Sequence, residues 1–93
     1  MPRKTVHVLV SGKVQGVGYR AWAERQAQSR GLSGWVRNRR SGAVEALFAG
    51  EADVVEAMLA ACHVGPPQAR VNSVLKEERS DEIVGRFEVW ATY

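Results

Sequence analysis

The sequence contains one cysteine and no apolar run long enough to cross a membrane. The single thiol, Cys62, excludes an intramolecular disulfide, and a reducing compartment fits it best. A membrane-spanning helix needs about 20 consecutive apolar residues, and no segment approaches that length. Glycine (9) and proline (3) are too scarce among the 93 residues for a fibrous or disordered chain. We therefore expect a cytoplasmic protein in which residues 1–93 form a single domain.

Acidic residues are nearly absent from the first half of the chain. Residues 1–42 contain nine basic residues and one acid, Glu24, which gives a net charge of +8. Residues 43–93 contain four basic and nine acidic residues, a net charge of −5, so the total of +3 hides the asymmetry. This distribution predicts an anionic partner for the first half.

Residues that bind metals are few and scattered. The two histidines, His7 and His63, stand far apart in the sequence, and no acidic pair lies beside the glycine-rich loop described below. We therefore expect no metal and no cofactor.

Cys62 follows Val55 and Leu59 at helical spacing, which predicts a core residue rather than a nucleophile. His7 lies in the middle of a predicted strand, where a hydrogen-bonded structural role is expected.

Hydrophobic periodicity predicts two helices and five strands. One helix begins at Tyr19 and stops at Gly31, and a second lies around residues 55–62. Alternating residues predict strands over 5–12, 32–38, 43–49, 71–78 and 86–90, with Gly50 breaking the third. The order is β-α-β-β-α-β with one extra strand. This pattern favours an α+β fold, a ferredoxin-like α/β sandwich with two helices on one face of a mostly antiparallel sheet.

The segment between the first strand and the first helix is rich in glycine. Gly12, Gly16 and Gly18 allow successive backbone N–H groups to point inward, and the helix N-terminus adds unpaired donors. Arg20 in the first helical turn can offer a planar, permanently charged fork to two phosphate oxygens. A dinucleotide site would require an acid near residues 36–38, and a Walker A loop would end in Gly-Lys-Ser/Thr; neither is present. The remaining alternative is a tight turn with an incidental surface arginine.

A second segment, residues 34–42, ends the second strand and forms a turn. Asn38 offers both a donor and an acceptor, so its amide can hold a water and an anion oxygen together. An asparagine also simply suits a strand end. Arg37, Arg39 and Arg40 either form a solvated turn or steer anions toward the loop.

These two segments resemble the acylphosphatase family. The first reads VSGKVQGVGYR over 10–20, and the second reads GWVRN over 34–38, followed by GAVE over 42–45 and by Gly50. Tyr19 stands where many members have phenylalanine. The resemblance covers nearly the whole chain and implies a ferredoxin-like fold with metal-free hydrolysis of acyl phosphates. It assigns phosphate binding to Arg20 and positioning of the attacking water to Asn38. It also assigns a phosphate cradle to the backbone amides of Gln15, Gly16, Val17, Gly18, Tyr19 and Arg20.

An acyl phosphate has a good leaving group, a carboxylate, so catalysis requires a positioned water and balanced charge on the phosphoryl oxygens. No general base is evident, and we hypothesise that a substrate phosphate oxygen accepts the water's proton. Nothing outside the phosphate site marks a pocket for the acyl group. We expect a monomer that acts on a small-molecule acyl phosphate, without a nucleic-acid or membrane partner.

Two alternatives are a nucleic-acid-binding module and a ligand-sensing ferredoxin-like module. RNA-binding sheets usually carry aromatic residues on an exposed face. Trp22 and Trp35 are instead expected in helix packing and at a strand start, which argues against the first alternative. Ligand-sensing domains of this fold generally accompany a larger partner.

Overall fold

The computed structural model describes residues 2–93 and contains five strands and two helices. The elements, in chain order, are β1 (Arg3–Lys13), α1 (Tyr19–Ser29), β2 (Ser33–Asn38), β3 (Val44–Glu51), α2 (Ala52–Val64), β4 (Arg70–Arg79) and β5 (Glu88–Val89). They form one sheet in the order β4-β1-β3-β2-β5. All neighbouring strands are antiparallel except β2 and β5, which are parallel. The expected ferredoxin-like architecture with an extra strand is confirmed.

One hydrophobic core lies between the sheet and the two helices. Alternate strand residues such as Val8 and Phe48 face it, because successive side chains of a strand point to opposite faces. The helices contribute residues at helical spacing, including Ala23 from α1 and Met58 from α2. Cys62 is 1% exposed within this core. The prediction that Cys62 is a core residue is therefore confirmed.

Two predicted strand boundaries are wrong. Strand β3 does not break at Gly50, because Gly50 and Glu51 continue the ladder by pairing with Lys4 and Arg3 of β1. The last strand is shorter than predicted and contains only Glu88 and Val89. Beyond Val89 the chain follows β2 through single hydrogen bonds rather than a regular ladder.

The strand directions bring two chain segments to one edge of the sheet. Strands β1 and β2 both run antiparallel to β3, so their carboxyl ends lie at the same edge. Val44 of β3 pairs with Val10 of β1 on one side and with Asn38 of β2 on the other. Since neighbouring strands are about 4.8 Å apart, Asn38 lies about 10 Å from Val10, near the end of β1. The loop that follows β1 is thus placed close to Asn38.

No helix formed by residues 2–93 has the length and apolar character that spanning a bilayer requires.

Candidate active site

The glycine-rich loop connects the end of β1 directly to the start of α1. Gly16 has φ of 74° and Gly18, at the N-cap of the helix, has φ of 81°. These left-handed conformations are strained for other residues, so the two glycines let the chain turn sharply into the helix. Val14 is buried at the start of the loop, where it anchors the segment to the core.

The backbone N–H groups of this loop form no well-aligned hydrogen bond within the described part of the chain. Within residues 2–93, no loop, turn or cap hydrogen bond uses an amide of residues 15–20 as its donor. The first main-chain hydrogen bond at the start of α1 runs from Trp22 N–H to the Gly18 carbonyl. The amides of Tyr19 and Arg20 therefore remain free at the positive end of the helix dipole. Free donors of this kind favour an anion.

A cavity of about 410 Å³ opens beside the loop. Its walls contain Gly16, Gly18, Tyr19 and Arg20 from the loop and α1, together with Asn38 from β2. Residues from the two sequence segments are thus brought together around one space. The cavity is also lined by Val14, Ala21, Glu24 and Val89.

Gln15 and Val17, two predicted substrate-binding residues, are not among the residues that line the cavity. The Gln15 amide donates hydrogen bonds to the carbonyls of Arg39 at 2.7 Å and Ala43 at 2.8 Å. Val17 is partly buried and packs against the core. The Gln15 side chain therefore ties the loop to the turn between β2 and β3, a role that the sequence did not indicate.

Asn38 is the last residue of β2 and lies on the helix side of the sheet. Buried Val36 points into the core, and Asn38, two residues later, has the same orientation. The carbonyl of Asn38 accepts a hydrogen bond from Tyr93 N–H at 3.0 Å, which fixes the strand end. Neither its side-chain amide nor the guanidinium of Arg20 takes part in any side-chain hydrogen bond or ion pair formed by residues 2–93. Both groups are available to a ligand.

The opposite face of the sheet carries a cluster around the buried carboxylate of Glu45. Arg37 Nε donates to Glu45 Oε1 at 2.7 Å, Arg39 Nη1 donates to the same oxygen at 3.2 Å, and His7 Nε2 lies 2.6 Å from Oε2. Burial alone would raise the pKa of Glu45, but the hydrogen bonds from His7, Arg37 and Arg39 outweigh it and lower the pKa to about 2. His7 thus has the structural role expected of it. Arg37 and Arg39 are paired rather than free in a solvated turn.

The same face also carries stacked aromatic rings, which the sequence analysis did not predict. Trp35 lies inside β2 and stacks on Trp90 with ring centroids 4.4 Å apart. The Arg37 guanidinium lies 5.0 Å from the Trp35 ring centroid and 4.4 Å from that of Tyr93. Trp90 comes from beyond β5, so only the tertiary structure brings these rings together. Trp22, by contrast, packs against the core as expected.

Four residues of the cavity wall were absent from the predicted site. The positions of Ala21 and Glu24 follow from their helical spacing to Arg20, so the sequence contained a signal for them. Val89 reaches the cavity through the parallel pairing of β5 with β2, where it pairs with Val36. No local sequence pattern reveals such a long-range pairing.

In the part of the chain from residue 2 onward, no group of three His, Cys, Asp or Glu side chains is placed to hold a metal ion.

Comparison with known proteins agrees with this arrangement. The family model described as "Acylphosphatase" matches residues 6–89. An acylphosphatase of Alcanivorax borkumensis is 59% identical over 78 residues, covering 84% of this chain and 85% of the relative. One from Bradyrhizobium diazoefficiens is 58% identical over 77 residues, covering 83% of this chain and 78% of the relative. The solved structure of an acylphosphatase from Coxiella burnetii superposes with a TM-score of 0.91 at 40% identity, covering 95% of this chain and 93% of that one. The chain therefore belongs to the acylphosphatase family.

Proposed function

We propose that Arg20, Asn38 and the free amides of residues 15–20 form the catalytic site of this enzyme, which hydrolyses acyl phosphates. The products are a carboxylate and inorganic phosphate. The observation that carries the proposal is the convergence of unpaired loop amides, an unpaired arginine and an unpaired asparagine on one cavity.

Arg20 and the loop amides are proposed to bind the phosphoryl group. The guanidinium offers two parallel N–H donors that match two phosphate oxygens, and the amides offer further donors from a fixed backbone. Donors that are already oriented need no reorganisation as charge develops on the equatorial oxygens. The proposed cradle includes the backbone of Gln15 and Val17, whose side chains point elsewhere.

Asn38 is proposed to hold the attacking water. Its carbonyl oxygen accepts from the water and its NH₂ group donates to a phosphoryl oxygen, which places the water in line with the phosphorus atom. The water oxygen then forms a bond to phosphorus while the bond between phosphorus and the acyl oxygen breaks. The carboxylate departs with the electron pair, and both protons of the water remain on inorganic phosphate.

No side chain of the enzyme needs to accept the proton in this proposal. A phosphoryl oxygen of the substrate takes it, and the carboxylate is stable enough to leave without protonation. In support of this, neither histidine lines the cavity. His7 is bound to Glu45 on the opposite face of the sheet, and His63 lies in the last turn of α2.

We further propose that residues 1–93 act as one domain, as a cytoplasmic monomer without a nucleic-acid partner. Stacked Trp35 and Trp90 are the feature that would favour RNA binding. The cations beside them, Arg37 and Arg39, are already hydrogen-bonded to Glu45 and are less available for phosphates. A filter-binding titration with mixed RNA tests this: saturable binding below micromolar concentration would contradict it.

The decisive experiment measures acetyl phosphate hydrolysis by the wild type and by Asn38→Ala. Loss of one preorganised group predicts a fall in turnover of about 10² or more. Asn72→Ala is the matched control, because Asn72 is an exposed residue of β4. Unchanged turnover in Asn38→Ala would contradict the assigned site.

A further inference from the structure

We infer that Glu24 selects against acyl groups that carry a negative charge. This inference rests on the proposed function, because it takes the phosphoryl end of the cavity to be the one formed by Arg20 and Asn38. Glu24 is the only acidic residue among the first 42, and the fold places it in the wall of that cavity.

The cavity has more space than a phosphoryl group requires. A single water occupies about 10–15 Å³ of such volume. A phosphoryl group has four heavy atoms of similar size, so it fills a minor part of the 410 Å³. The remaining space continues along α1, since Glu24 follows Arg20 by four residues, which is about 6 Å along the helix axis. The acyl group of a bound substrate lies in this second part.

Two kinds of side chain surround the second part. Ala21 of α1 and Val89 of β5 provide apolar walls, whereas Glu24 provides a carboxylate. Among the ion pairs formed within residues 2–93, none includes Glu24, so no cation is directly paired with its carboxylate. A carboxylate without a direct ion-pair partner disfavours an anionic acyl group beside it and tolerates a neutral or cationic one.

The preference of Glu24 for uncharged acyl groups differs from the attraction of the basic residues for the phosphoryl group. The phosphoryl end attracts any dianionic phosphate through Arg20, whereas Glu24 acts only on the part of the substrate that distinguishes one acyl phosphate from another. The sole acid of the basic half thus confers discrimination at a site that would otherwise favour the most highly charged substrate.

The test compares succinyl phosphate with butyryl phosphate, whose acyl chains have the same carbon count but differ by a carboxylate. The measured quantity is the ratio of kcat/KM for the two substrates. Glu24→Gln should raise the succinyl-to-butyryl ratio by roughly three- to tenfold, and Glu24→Lys should raise it further. Glu24→Asp should keep the wild-type ratio. The differences should shrink in 1 M salt, where the Debye length is about 3 Å.

Glu82→Gln serves as the matched control. Glu82 is exposed and lines a separate surface cavity with Arg3 and Lys4 at the other edge of the sheet, so its loss should leave the ratio unchanged. An unchanged ratio in Glu24→Gln would overturn the inference. Equal loss of kcat/KM for both substrates would also overturn it, since Glu24 would then orient Arg20 or act as a base.

The proposed function and the role of Glu24 can be refuted separately. Hydrolysis of butyryl phosphate by the wild type, and its loss in Asn38→Ala, reports on the proposed function alone. If butyryl phosphate is hydrolysed as proposed, but the succinyl-to-butyryl ratio of kcat/KM does not change with the charge at position 24, only the role of Glu24 is refuted. If neither substrate is hydrolysed, the proposed function fails and the inference fails with it.

Discussion

The hydroxyl of Tyr19 donates a hydrogen bond of 2.7 Å to the main-chain carbonyl of Cys62. In a continuing helix this carbonyl would accept from the amide of residue 66, but Pro66 has no N–H to donate. The tyrosine therefore satisfies a carbonyl that α2 leaves unpaired at its carboxyl end. Burial raises the pKa of Tyr19 and raises that of Cys62 to about 11, so both side chains stay neutral. The bond fastens the first residue of α1, next to the phosphate loop, to the last turn of α2.

Replacement of Tyr19 by phenylalanine should lower stability but spare catalysis. The variant leaves a buried carbonyl without a donor, which costs about 1–2 kcal/mol of unfolding free energy. For a domain of this size, each kcal/mol lowers Tm by about 4–8 °C. Urea denaturation and acetyl phosphate turnover, measured on the same preparations, check both parts. Tyr93→Phe is the control, because Tyr93 is 64% exposed as a residue. A variant of unchanged stability with impaired turnover would contradict this role.

The elements with strong periodicity were predictable from sequence, and those set by distant partners were not. The valines of β1 and the glycine loop contain local signals for a strand, a turn and a helix start. Strand β5 has only two residues and exists because Val89 pairs with Val36 across a long separation in sequence. The continuation of β3 past Gly50 likewise depends on its partner Lys4 rather than on propensity.

The candidate site likewise has parts that local sequence signals predict and parts that depend on contacts between distant segments. The two motifs were enough to propose Arg20 and Asn38 as site residues, and the fold brings both into one cavity wall. The hydrogen bonds of Gln15 to the β2–β3 turn, and the contribution of Val89 to the cavity, arise only when separate segments meet. The stacking of Trp35 was not predictable, because its partner, Trp90, comes from the far end of the chain.

The cluster around Glu45 should make stability depend on pH in the acid range. The pKa of Glu45 falls from its ordinary value of 4.5 to about 2 in the folded protein, so the folded state favours the carboxylate. This stabilisation is fully present above pH 4.5 and is lost as the pH falls through 2. It amounts to at most about 3 kcal/mol, at 1.36 kcal/mol per pKa unit.

Urea denaturation between pH 6 and pH 2 measures this dependence. In Glu45→Gln the acid-induced loss of unfolding free energy should be smaller than in the wild type by that amount. Glu82→Gln, which changes an exposed acid, should retain the wild-type slope. Parallel pH curves for the wild type and Glu45→Gln would refute the role assigned to the cluster.

Arg20→Lys should behave as a severe substitution although it preserves the charge. An ammonium group cannot supply two parallel donors in one plane, so the phosphoryl group loses an oriented contact. A fall in kcat/KM for acetyl phosphate of about 10² is expected, by comparison with the loss of one preorganised donor. Arg25→Lys on the exposed side of α1 is the matched control. Near-wild-type kcat/KM in Arg20→Lys would show that only the charge matters.

Removal of divalent metal ions should leave turnover unchanged. The proposed charge balance comes from Arg20 and the loop amides, and the cavity wall contains a single acidic residue, Glu24. Turnover of acetyl phosphate is measured before and after treatment with EDTA. A loss of activity that Mg²⁺ restores would contradict the proposed mechanism.

Gln15 should matter for substrate binding even though its side chain does not line the cavity. Its NH₂ group bridges the carbonyls of Arg39 and Ala43, and so holds the phosphate loop at a fixed distance from the end of β2. Gln15→Ala removes both bonds, each contributing about 1 kcal/mol. We expect kcat/KM for acetyl phosphate to fall about tenfold, because the amides of the loop and Asn38 lose their fixed relation. Gln15→Glu should lower kcat/KM further, since its carboxylate would face two carbonyl oxygens and repel the substrate.

Gln68→Ala, in an exposed segment after α2, is the control. If Gln15→Ala lost stability in urea yet kept its full kcat/KM, the side chain would hold the fold together without positioning the site.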